Sequence, residues 1–88
     1  MQEVRSAIDA LDRRIVALLA ERLRYVEAAA RIKPNREAVR DEARKSDVIA
    51  HARAVALEQD FPVALAERLY ELLVEGSIAH EYDRFDAR

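Results

Sequence analysis

Apolar side chains recur at intervals of three and four residues along most of the chain, the spacing of one helix face rather than the strict alternation of a strand. From Gln2 to Ile32 no Gly or Pro interrupts this pattern. At ~100° per residue, Val4, Ile8, Leu11, Ile15, Leu18, Val26 and Ala29 fall in one narrow stripe, while Asp12, Arg13, Glu21, Arg24 and Arg31 lie mostly outside it. The pattern predicts one helix over residues 2–32, roughly 45 Å long. Such a helix is too long to be covered by the rest of a monomer of 88 residues, so a second chain is expected to cover it.

The first break falls at Lys33-Pro34-Asn35. Beyond it Asn35 is the expected N-cap of a second helix, with Glu37 and Asp41 in its opening turns. Ala38, Val48, Ala52 and Val55 give that helix a thin, Ala-rich face to about Glu58. Gln59-Asp60-Phe61-Pro62 supplies a cap candidate just before a Pro, which a first helical turn tolerates. Leu65, Leu69, Leu72, Leu73 and Gly76 then mark a third helix running to about Phe85. With no internal repeat, low-complexity tract or linker, the expectation is an all-α fold: three helices in a single domain over residues 1–88, without β structure.

Composition narrows the chemistry. One Gly and no Cys rule out collagen, a disulfide scaffold, a thiol nucleophile and Cys-ligated zinc, and the lack of Cys suits a reducing compartment. Fifteen Lys and Arg against 17 Asp and Glu give a net charge of −2, so no broad basic surface for nucleic acid is expected and any positive site must be local. Acids and bases interleave from the first residues, and no apolar run approaches the ~20 residues of a membrane span. The expectation is a soluble, unanchored, cytoplasmic protein. His51 and His80 lack companions at ligand spacing, and the only glycine lies inside the third helix, so neither a metal site nor a phosphate loop is predicted.

Charged residues that interrupt the apolar faces carry the functional signal. Arg22 lies four residues after Leu18 and four before Val26, and Lys33 returns to the same face four residues after Ala29. Inward cations need anionic partners, from the protein or from a ligand. Inward acids such as Asp41 could provide them, or the long stems could reach the helix margin. On the second helix Asp41, Arg44 and Lys45 share the face continued by Val48, Ala52 and Val55, with two cations in the N-terminal half, where the helix dipole does not favour them. On the third, Tyr70, Ser77 and Glu81 line one edge. Arg and Lys projecting into an apolar interior suit a small substrate bearing more than one carboxylate.

These residues resemble a known family. The run Val4-Arg5-Ser6-Ala7-Ile8-Asp9-Ala10-Leu11-Asp12, followed by Ile15-Val16-Ala17-Leu18-Leu19-Ala20-Glu21-Arg22, is similar to the opening motif of the all-helical (type II) chorismate mutases, which include the related isochorismate pyruvate lyases. Lys33, eleven residues after Arg22, and Val39-Arg40-Asp41 with Arg44 continue the match; Leu72-Leu73-Val74-Glu75-Gly76-Ser77 matches more loosely. The resemblance implies an intertwined homodimer, and a cofactor-free and metal-free rearrangement of chorismate to prephenate, the chemistry of the shikimate pathway and aromatic amino-acid biosynthesis. It further implies that Arg22 and the partner chain's Arg5 grip the substrate carboxylates, and that Lys33 and Glu81 face the ether oxygen. Asp41 would meet the ring-hydroxyl side, Arg44 would support a carboxylate, and Ser77 would line the pocket.

Two positions depart from the commonest pattern of that family. Lys45 stands where many members carry Glu, and Glu81 where many carry Gln. Glu81 must be protonated to donate to an ether oxygen, and Lys45 is expected to pair with Asp41 or Glu81, or to signal isochorismate or another chorismate derivative as substrate. Arg24-Tyr25-Val26-Glu27-Ala28-Ala29-Ala30-Arg31-Ile32-Lys33 resembles the lyases as closely as the mutases. Lyase activity is therefore the alternative, with a non-enzymatic helical dimerisation domain outside it.

Overall fold

The computed structural model describes residues 1–88 and contains only helices, within an envelope of 50 × 24 × 15 Å. Helix α1 spans Gln2–Ile32, α2 Glu42–Glu58 and α3 Val63–Asp86, with a short 3₁₀ turn at Arg36–Ala38. None is long and apolar enough to cross a membrane. Helix α1 ends where the sequence reading puts it, because Pro34 has no N–H to continue the helix and biases Lys33 toward extended backbone (ψ 139°).

The second helix starts later than expected. Asn35 does act as a cap, but of the 3₁₀ turn, its side chain accepting from the Ala38 amide at 3.0 Å. The N-cap of α2 is Asp41, whose Oδ1 accepts from the Arg44 amide at 2.9 Å. Asp60 also differs from its expected role as a cap for α3. It sits in the left-handed region (φ 55°) just past the end of α2, with the Phe61 amide bonded back to the Ala56 carbonyl at 2.8 Å. That is a C-terminal closure of α2 in which Asp takes the position usually given to Gly.

Helices α1 and α2 each pack on α3 but not on one another, which leaves a wedge-shaped space between them with α3 as its floor. The core beneath is small: Val39, Val74 and Ile78, with Val48, Tyr82 and Phe85 against them. Along α1 every residue from Gln2 to Glu21 is exposed, including Val4, Ile8, Leu11, Ile15 and Leu18, each half or more exposed. The stripe predicted to need covering is bare in the single chain. Only 9 of 88 residues are buried, and none of the large side chains is fully enclosed.

Helix α2 has little apolar contact, burying just Ala52 and Ala56, and a ladder of ion pairs joins it to α3. Arg53 meets Glu67 at 3.1 Å, Lys45 meets Glu71 at 2.6 Å and Glu75 at 2.8 Å, and Arg40, just ahead of α2, meets Glu75 at 2.8 Å. Hydrogen bonds from Arg40 and then Lys45 hold the Glu75 carboxyl down at about 2, against an ordinary 4.5. Since the folded value lies below the unfolded one, the stabilisation is complete above about pH 5 and is lost as pH falls from 4.5 toward 2. The urea midpoint should accordingly drop more between about pH 6 and pH 3 in the wild type than in Glu75→Gln. Equal drops would show that the Glu75 pairs contribute nothing.

Candidate active site

The wedge between α1 and α2 holds a cavity of about 430 Å³, within the range of about 300–1,000 Å³ that small-molecule sites occupy. Its walls carry Arg22 and Lys33 from α1, Asp41, Arg44 and Lys45 from the start of α2, and Ser77 and Glu81 from α3. Seven of the eight site residues expected from sequence thus converge on one space. Ser77 and Glu81 are moreover the only buried polar residues in the chain. The eighth, Arg5, is exposed near the far end of α1. Seventeen residues of helix separate it from Arg22, about 26 Å along the axis, so it cannot join this cavity within its own chain.

Each cation is held differently. Arg22 Nη1 donates to Ser77 Oγ at 3.0 Å, and that hydroxyl donates onward to the Leu73 carbonyl at 2.8 Å. No carboxylate pairs with Arg22: of the partners the sequence left open, an inward acid such as Asp41 is not the one used, its carboxylate being engaged in capping α2. Arg44 has no side-chain partner. Lys33 Nζ lies 2.5 Å from Glu81 Oε2 and 3.4 Å from the Val39 carbonyl. Lys45 pairs with Glu71 and Glu75, which raise its pKa, and not with Asp41 or Glu81 as the sequence suggested.

The two ammonium groups are therefore matched by carboxylates and the two guanidinium groups are not. A carboxylate placed between Arg22 and Arg44 would meet planar donor forks, a geometry suited to bidentate pairing. Apolar walls from Val26, Ala29, Val39, Val48, Val74 and Ile78, with exposed Tyr25 at the mouth, complete the cavity. Of these the sequence reading placed Val26, Ala29 and Val48 on apolar faces but did not assign them to a site. Tyr70 faces a different space: an apolar groove of about 770 Å³ between α1 and α3, lined by Ile15, Val16, Leu19, Leu23, Leu69 and Leu73 among others.

A cavity with unmatched guanidiniums and a buried carboxyl group beside a lysine fits binding and charge stabilisation of a small anion. Residues 4–82 match the family described as chorismate mutase type II, and the chain belongs to that family. No curated protein matches it.

Proposed function

We propose that the protein is a chorismate mutase, an isomerase that converts chorismate to prephenate, acting as one domain over residues 1–88 in a homodimer. The observation that carries this reading is the pair of unmatched guanidiniums, Arg22 and Arg44, in a cavity whose lysines already have carboxylate partners. The charge deficit matches a dicarboxylate. In the rearrangement a C–O bond breaks as a C–C bond forms, in one cyclic step with no proton transfer. The protein then has to hold the reactive conformer and stabilise negative charge growing on the ether oxygen. Arg22, with Arg5 of the second chain, grips the carboxylates, Arg44 supports one of them, and Lys33 with Glu81 faces the ether oxygen. Asp41 and Lys45 border the ring, and Ser77 orients Arg22.

The groove between α1 and α3 and the bare stripe on α1 supply the apolar surface that a second chain would bury. A crossing of the two long first helices would bring each Arg5 toward the other chain's cavity.

Glu81 accepts from Lys33 Nζ at 2.5 Å. As a carboxylate it draws that ammonium to itself and opposes negative charge on the ether oxygen, whereas an amide in its place leaves Lys33 free and adds a second donor. Glu81→Gln should therefore raise kcat on chorismate; an unchanged kcat would place Glu81 outside the chemistry.

One observation favours the lyase reading: Lys45 presents an ammonium where an acid would meet a ring hydroxyl, and Glu71 and Glu75 lock it there. Incubation with chorismate and, separately, isochorismate separates the two. Prephenate formed from chorismate supports the mutase, salicylate and pyruvate from isochorismate support the lyase, and turnover of neither defeats both.

A further inference from the structure

Lys33 stands at the point where α1 stops, and the chain there lacks its usual means of fixing the backbone. The amide that would normally satisfy the Ala30 carbonyl belongs to residue 34, a proline without an N–H. The Arg88 guanidinium takes the place of the missing donors. Its Nη1 lies 2.7 Å from the Lys33 carbonyl, 3.2 Å from that of Ala30 and 3.5 Å from that of Arg31. A cation at this end of a helix also meets the negative end of its dipole.

The guanidinium is itself held in place. Its carbon lies 3.7 Å from the centre of the Phe85 ring, and Phe85 packs on the Val39, Val74 and Ile78 core. One turn away, Arg36 reaches back to Asp86 at 2.9 Å and lies over Tyr82 at 4.4 Å, so the end of α3 grips the segment after α1 at two points. The family match ends at residue 82, and Phe85, Asp86 and Arg88 all lie beyond it.

From this geometry we infer that Arg88 is a positioning residue for Lys33: by binding the last carbonyls of α1 it fixes the backbone from which the Lys33 ammonium reaches Glu81 and the cavity. The catalytic part rests on the assignment of Lys33 to the ether oxygen. A donor whose main role is in the transition state should lose effectiveness in kcat more than in KM when its backbone loosens.

Arg88→Met keeps an apolar stem over Phe85 and removes the donors, while Arg88→Lys keeps a donor. With chorismate, Arg88→Met should lower kcat about tenfold with KM within about twofold, and Arg88→Lys should recover most of the loss. Amide hydrogen exchange in Arg88→Met should quicken at Lys33 and through residues 36–39, while Val74–Ile78 stay as protected as in the wild type. Unchanged kcat, unchanged local exchange, or faster exchange across the whole molecule each overturns the inference, the last by making Arg88 a general stabiliser. If the wild type turns over neither chorismate nor isochorismate, the proposed function fails separately, and the exchange comparison still decides whether Arg88 holds Lys33.

Discussion

Arg22→Met is expected to lower kcat/KM on chorismate by about 10²- to 10³-fold, the usual cost of removing one preorganised charge-stabilising donor, while leaving the fold nearly as stable as before. The two effects separate because of how Arg22 is held. Its only protein partner is the Ser77 hydroxyl, which keeps its own bond to the Leu73 carbonyl when the guanidinium is gone. No carboxylate is stranded, so the stability cost is that of about one hydrogen bond, about 1 kcal/mol, rather than the roughly 3–5 kcal/mol of breaking a buried ion pair. Lys33→Met would be less clean, because it leaves Glu81, 6% exposed, without its cation. Steady-state kinetics alongside urea unfolding decide the matter for Arg22. A variant that unfolds readily while its folded fraction turns over normally would make Arg22 a structural residue and would sink the carboxylate assignment.

What the sequence made legible divides along the range of the interactions involved. Helix α1 could be read end to end because nothing interrupts residues 2–32 and Pro34 stops the helix by covalent chemistry alone. The start of α2 could not, because Asn35 and Asp41 are both competent caps. Whether the chain closes one helix or a 3₁₀ turn followed by a helix depends on how Val39 seats in the core against Val74 and Ile78. Asp60 could be recognised as a cap residue, but choosing between closing α2 and opening α3 needs its backbone angle. Arg22, Lys33 and Arg44 were visible as charges on apolar faces, since helix geometry assigns faces locally, whereas Glu81 lay on an edge and was singled out by the family resemblance alone. Their pairing was not visible. Lys45 is bound by Glu71 and Glu75, 26 and 30 residues further on, and only the packing of α2 on α3 selects those acids over Asp41 and Glu81. The spacing of Glu67, Glu71 and Glu75 at successive turns was the one available signal, a row of acids waiting for a basic helix.

Mixing two inactive proteins, Arg5→Ala and Arg22→Ala, should restore about a quarter of wild-type activity once subunits exchange freely, because half the dimers would be mixed and each would hold one intact site of two. The expectation follows from reach. Arg5 lies about 26 Å along α1 from Arg22, on a stretch of helix that its own chain leaves bare, so a contribution to the cavity has to come from the other chain. In a mixed dimer one site takes its Arg22 from the Arg5→Ala chain and its Arg5 from the Arg22→Ala chain; the other site lacks both. Recovery would establish the dimer and the shared site together, since neither a monomer nor a dimer with self-contained sites can produce it. Native mass spectrometry can count the mixed species directly. If mixed dimers form and activity stays at background, Arg5 does not act in the partner's site, and the cavity must bind its dicarboxylate with Arg22 and Arg44 alone.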